Sequence, residues 1–189
     1  MANFGVAIVS RARGVTVQPR IVRAGDEGAQ VGYTSLPLNM NPYVPEYREP
    51  SPTSGANVPA AGAYDVVFDS PTAAGAGAFS FRFWLDDKTP PRVRLLTPSA
   101  TSNGTVVLSV TDSGSGVDPS TLHASIDGGE RSGRLVRGRL RIPVGGLRPG
   151  PHAVTVQASD FQETKNDENV SAILPNTSRL TATFTVRAG

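Results

Sequence analysis

Short runs of strict two-residue alternation recur along this chain, and helical periodicity is hard to find. In Thr105-Val-Val-Leu-Ser-Val-Thr111, Val106, Leu108 and Val110 share one face. In Thr121-Leu-His-Ala-Ser-Ile126, Leu122, Ala124 and Ile126 do the same. Arg139-Leu-Arg-Ile-Pro-Val144 turns Leu140, Ile142 and Val144 inward and Arg139 and Arg141 outward. His152–Ala158 and Thr181–Arg187 continue the pattern. Successive side chains of a strand point to opposite faces, so each run has one dry face and one wet one. The 20 glycines and 16 prolines suit many short strands and turns. Such strands at even spacing predict an all-β chain of antiparallel sandwiches.

The first part ends the same way. Ala63–Asp69 reads as a strand, and Phe79-Ser-Phe-Arg-Phe-Trp-Leu85 as the next, with Phe79, Phe81, Phe83 and Leu85 inward. Asp86-Asp-Lys-Thr-Pro-Pro91 follows. Pro90 and Pro91 cannot donate ladder hydrogen bonds, and they stiffen the chain. The domain boundary is placed here: a sandwich over residues 1–86, a linker over 87–91 and a second sandwich over 92–189. A short internal repeat agrees with this. Ala61-Gly-Ala-Tyr-Asp-Val-Val-Phe68 matches Pro149-Gly-Pro-His-Ala-Val-Thr-Val156, each a Gly turn, a ring and an alternating strand. Gly32–Ala60, rich in Pro, Asn and Ser, reads as long loops with one or two irregular strands.

Bulk properties exclude several classes. No apolar run is long enough to cross a membrane. Cysteine is absent, which removes disulfides and thiolate metal sites. The net charge of +2 is small for a nucleic-acid binder. Met1–Ser10 lacks the pattern of a signal peptide, so the expectation is a cytosolic chain or a piece of a longer exported one.

Asp112-Ser-Gly-Ser-Gly-Val-Asp-Pro119, then Ile126-Asp-Gly128, Gly146-Leu-Arg-Pro-Gly-Pro-His152 and a strand ending Ala158-Ser-Asp160 resemble bacterial immunoglobulin-like domains. The resemblance covers about Thr89 to Ala188 well and the first part less. It implies two tandem immunoglobulin-like β-sandwiches. The Leu-x-Pro-Gly-x-ring turn resembles the tyrosine corner of such folds, with His152 where the tyrosine stands. A narrower resemblance lies in Ser159–Asn169, Leu174–Ser178 and Phe81–Asp87. These look like tandem modules that follow the catalytic domain in some secreted subtilisin-like proteases. That implies export and an accessory role, without the protease motifs.

Nothing assembles a hydrolase. The two histidines are His123, alternating outward, and His152, at the corner. Ser115 lies in Gly114-Ser-Gly116, but a nucleophile elbow needs Gly-x-Ser-x-Gly before a helix, and position 113 is Ser.

Calcium is the metal to weigh. In an immunoglobulin topology the loops holding Asp112 and Asp118, and Asp160 with Glu163, Asp167 and Glu168, meet at the end where the chain enters. Asp86 and Asp87 lie in that entering linker. Asp86, Asp87, Asp112, Asp118 and Asp160 are thus a candidate calcium set, since calcium takes six to eight oxygens, roughly. The competing reading is that these aspartates are turn formers, neutralised by Lys88, Lys165 and Arg92.

Arg134, Arg137, Arg139 and Arg141, flanked by Arg131 and Arg148, form a candidate face for an anionic polysaccharide or phosphate. The competing reading is a solvated strand face that discourages edge pairing. No aromatics interleave, so stacking on nucleic acid is not expected. Trp84, with Pro90 and Pro91, is expected at the contact between domains. Ser159–Arg179 is a connection long enough to be functional, and its Ala172-Ile-Leu-Pro175 is apolar enough to pack down.

The expectation is a non-catalytic spacer, adhesion or docking module of an exported bacterial protein, acting outside the cell or on its surface. Its partners would be neighbouring domains and a surface glycan or protein. The alternatives are an accessory domain pair of a secreted protease and an anionic-glycan binder.

Overall fold

Where one face of a strand is apolar, it must find another apolar face, and the second half of the chain does this with two sheets. The computed structural model describes residues 4–25, 35–36, 54–57, 61–161 and 175–189. Among these there is no α-helix; Ala73–Gly75 and Pro119–Thr121 are single 3-10 turns. The fold is all-β. The chain divides into two compact units, residues 1–88 with 161–175, and residues 89–160 with 176–189.

The second unit contains β7 (Arg92–Leu95), β8 (Ser99–Thr101), β9 (Thr105–Thr111), β10 (His123–Ile126) and β11 (Gly129–Glu130). It continues with β12 (Arg134–Val136), β13 (Arg139–Pro143), β14 (Gly150–Ser159) and β15 (Thr177–Arg187). One sheet runs β12-β13-β9-β7, the other β11-β10-β14-β15-β8. All these pairings are antiparallel except β8 on β15, which is parallel.

The inward residues of both sheets make one core. Val106, Leu108, Val110, Leu140, Ile142 and Val144 meet Ile126, Val154, Val156, Ala158, Phe184 and Val186. Each fully buried side chain of this kind contributes about 1.5–3 kcal/mol. Leu122 and Ala124 pack against this core, and His123 between them is exposed. Residues 119–121 form a turn, and the strand read from Thr121 begins only at His123. Pro119 fixes φ, and Asp118 caps the turn through Ser120 N–H at 2.9 Å.

The corner before β14 is tied down by His152. Its Nε2 lies 2.7 Å from the Arg148 carbonyl oxygen and its Nδ1 2.5 Å from Asp127 Oδ2. Both partners are acceptors, so both ring nitrogens donate and the ring is favoured as imidazolium. Asp127 also accepts from Ala153 N–H, at 2.9 Å. It sits with Gly128 in a two-residue turn with φ of 51° and 82°, joining β10 to β11. The ring thus ties β14 to a backbone carbonyl four residues upstream.

The first unit has β1 (Phe4–Arg11), β2 (Gln18–Arg23), β3 (Ser35–Leu36), β4 (Ser54–Asn57), β5 (Tyr64–Asp69) and β6 (Phe79–Leu85). Its sheets run β4-β1-β6 and β3-β2-β5. β3 and β4 are the described parts of Gly32–Ala60; the rest of that segment lies outside the described residues. Val6 packs on Tyr64, Val66 and Phe68, and Ile8, Val15 and Val17 on Phe68 and Phe79. The Phe68 ring stands 4.8 Å from Phe79 and 4.6 Å from Phe81.

Trp84 lies on the other face of β6. It is 4% exposed and packs with Ala7 and Phe161, whereas Leu85 is 65% exposed. The expectation that Phe81, Phe83 and Leu85 point inward is therefore not met: Phe81 and Phe83 are exposed as well, and the buried residue of this strand is Trp84. Gly5 pairs directly with Trp84, and a Cβ on Gly5 would stand 2.1 Å from an indole carbon. The missing side chain is what lets the indole lie against β1.

Two outcomes follow from this packing. Gly5→Ala is expected to destabilise the first unit by about 1–3 kcal/mol, because overpacking forces a shift of backbone or ring. Trp84 is the sole tryptophan, so its fluorescence in a urea titration reads this unit. An unchanged midpoint would contradict the packing. The His152 pair sets a pH dependence. Its bonds to Asp127 and to the Arg148 carbonyl raise His152 above the ordinary 6.5. Its bonds to His152 and Ala153 hold Asp127 below 3.8. The histidine's contribution is complete below pH 6.5 and is lost as pH rises through the raised value. The aspartate's is present above pH 3.8 and is lost as pH falls through the lowered one. The second unit should therefore melt earlier at alkaline than at weakly acidic pH, and His152→Gln should flatten that slope in calorimetry.

Candidate functional site

Period two decides what the four-stranded sheet of the second unit shows to solvent. Because Leu140 and Ile142 of β13 point into the core, Arg139 and Arg141 point out. On β7 the burial alternates likewise, with Arg92 and Arg94 exposed. On β12, Arg134 and Val136 are exposed on either side of Leu135.

The register then assembles these residues into rows. Arg134 pairs with Arg141, which pairs with Val107. Val136 pairs with Arg139, Arg139 with Ser109, and Ser109 with Arg94. Arg92 pairs with Thr111. Arg137 closes the β12–β13 hairpin with φ of 48°, followed by Gly138 at 72°. A two-residue turn of this kind favours Asn or Gly at its first position, so the arginine is kept against backbone preference.

The outer residues of these four strands include no acidic side chain. Among the described residues none of the six arginines forms an ion pair. The unit as a whole carries ten arginines and no lysine, against four aspartates and one glutamate, in residues 89–160 and 176–189. The outer face of the other sheet is less charged: along β15, Thr181, Thr183 and Thr185 occupy the middle of the exposed row, with Arg179 and Arg187 at its ends. Six of the unit's ten arginines thus belong to one sheet and its hairpin.

Blocking of sheet edges does not account for this. β12 and β7 are edges, but β13 is paired on both sides and carries Arg139 and Arg141. Arg134 and Arg141, directly opposite, repel each other at a cost of about 0.2–1 kcal/mol. Sequence reasoning named Arg134, Arg137, Arg139 and Arg141 and missed Arg92 and Arg94 as members of this face. Their spacing in Arg92-Val-Arg94 is a period-two signal, but the neighbouring prolines draw it into the linker.

The aspartates are used locally. Asp112 Oδ2 accepts from Gly116 N–H at 2.6 Å and closes the Asp112–Gly116 loop, in which Ser115 is buried. Asp118 Oδ1 accepts from the Ser120 N–H and from its hydroxyl at 2.7 Å. Asp160 is 1% exposed and binds both the backbone N–H of Asn176 (2.8 Å) and its Nδ2 (2.6 Å). That pair clips together the two points where the chain leaves and re-enters the second unit. Asp86 pairs with Lys88 at 2.8 Å on the surface of the first unit, and Asp87 is buried there.

Among the described residues no three acidic or histidine side chains gather closely enough to hold a metal ion. Of the expected calcium set, Asp118 and Asp160 stand near one another, since Val117 bridges Asp160 and the Asp118 N–H bonds the Ser159 carbonyl, but each carboxylate is used in its own local bonds. Glu163, Asp167 and Glu168 lie outside the described residues. Pro90 is exposed and Pro91 buried. A cavity of 530 Å³ in the second unit is lined by Leu122, His123, Ala124, Glu130, Arg131 and Leu140, among others. Its one histidine has no serine, threonine or carboxylate bonded to it among the described residues.

No protein-family model, no curated protein and no solved structure matches this chain.

The capping role of Asp118 can be measured. Asp118→Ala should lower stability by about 1 kcal/mol, the usual effect of losing such a cap. The loss should be equal in calcium and in chelator. A calcium-dependent loss would return Asp118 to the role of a metal ligand.

Proposed function

We propose that the chain is a non-catalytic docking module of an exported bacterial protein, built on immunoglobulin-like sandwiches, whose contact surface is the arginine face of the second unit. The carrying observation is the asymmetry of that face: six arginines without a counter-charge on its strands. A cationic surface of this kind meets an anionic polymer, which raises both encounter rate and selectivity.

Several features support the immunoglobulin-like reading. The order β12-β13-β9-β7 corresponds to strands D-E-B-A of such a sandwich, and β11-β10-β14-β15 to C′-C-F-G. The ring of His152, bonded to a carbonyl four residues upstream, occupies the corner position. The first unit, with its three-stranded sheets, is a less regular relative within the tandem. Export rests on the resemblance to surface and secreted modules. A non-catalytic role is favoured by the engagement of both His152 nitrogens, which leaves no free base at that position.

The test is retention of the full chain on bacterial cell-wall polymers and on dextran sulfate, beside neutral dextran. Binding is expected to weaken with salt, and the Arg139→Glu/Arg141→Glu variant to bind at least about tenfold less, as for charge reversal at a steered interface. Equal retention of the variant, or no retention of any anionic polymer by the native chain, would refute the docking surface.

A further inference from the structure

The arginine face has structure within it. Ser109 sits on β9 with Arg139 directly opposite on one neighbouring strand and Arg94 directly opposite on the other. The two arginine backbones are therefore about 10 Å apart, two strand spacings, with a short hydroxyl between them. Ser109 is half-buried, both arginines are exposed, and the serine hydroxyl has no partner among the described residues.

Resting on the docking reading above, we propose that Arg94, Ser109 and Arg139 form a seat for a tetrahedral ester oxyanion, a sulfate or phosphate group carried on a polysaccharide. A carboxylate is planar and has two oxygens, and one bidentate guanidinium satisfies it. A second arginine and a hydroxyl on the far side would then be left over. A tetrahedral ester presents three terminal oxygens in different directions, one toward each of the three side chains. The neighbouring rows continue the match. Arg92 lies on one side of the seat, and Arg141 with Arg134 on the other, each about 7 Å along the strands. A polymer running along the strands meets three cationic rows in turn, and the middle one reads the shape of its anion.

The cations are all arginine, whose planar fork is weakly hydrated and suited to multidentate oxyanions. The face carries no aromatic residue on its four strands, so base stacking adds nothing and a nucleic acid is disfavoured.

The experiment compares binding of the full chain to dextran sulfate, phosphorylated dextran, polygalacturonate of matched charge density and duplex DNA, at low and physiological salt. The two tetrahedral esters should bind about tenfold more tightly than polygalacturonate and DNA, the difference expected of one charge-assisted hydrogen-bonded group. Ser109→Val and Arg94→Gln should each bring dextran sulfate down to the polygalacturonate level, while Ser109→Thr, which keeps the hydroxyl, should preserve the difference. Arg134→Gln should weaken all anionic polymers alike. Melting curves of each variant confirm that it is folded, and Arg94→Gln at an exposed position tests the seat if Ser109→Val perturbs the sheet. Equal affinity for polygalacturonate or DNA, or a Ser109→Val chain that is folded and as selective as the native one, would overturn the seat while leaving the docking surface standing. Failure of the native chain to bind any polyanion would overturn both.

Discussion

The burial of one apolar layer between two sheets is the constraint on which the second unit depends. Leu108, Leu140 and Ile142 face Val154, Val156 and Phe184 across that layer. Once those side chains are inward, strand geometry leaves no choice for their neighbours. Arg139 and Arg141 are driven out by Leu140 and Ile142, and Arg92 and Arg94 by Val93 and Leu95. A slip of one residue in β13 would bury two guanidinium groups, which no core tolerates unpaired. The core and the cationic face are thus two sides of a single alternation.

Two polar clusters, one buried and one at the surface, serve the same end. Asp160 and Asn176 join the chain ends at the neck of a long excursion, so that β14 and β15 pair along their full length. His152 and Asp127 fix the approach to β14 from two directions. These are charge-assisted bonds, stronger than neutral ones and less tolerant of substitution. They also absorb most of the acidity available in this unit. Asp112, Asp118, Asp127 and Asp160 all bond backbone or side chains nearby. Among the described residues the six arginines of the outer face are left without an ion-pair partner.

In the first unit the controlling contact is of another kind. A glycine opposite a tryptophan lets a large ring cover a strand backbone. Both faces of β1 are thereby used, Val6 and Ile8 toward the facing strands and Gly5 and Ala7 toward the indole side. A strand covered on both faces loses the polar alternation by which strands are recognised. This is why Phe4–Arg11 passes unremarked in the sequence while Thr105–Thr111 stands out.

The sequence by itself determined the all-β class, five strands of the second unit (β9, β10, β13, β14 and β15) and the outward side of Arg139 and Arg141. All of these follow from a local period of two. It also contained the turn chemistry of Asp118-Pro119 and the ring at the corner. Only the tertiary structure decided who stands beside whom. Cross-strand register set Arg94 and Arg139 on either side of Ser109, residues up to 45 positions apart in the chain. It also gave the Asp160 carboxylate to Asn176, although the bridge to Val117 stands Asp160 beside Asp118. Alternation states which way a side chain faces, but neighbours across strands depend on the global pairing, which no local pattern encodes.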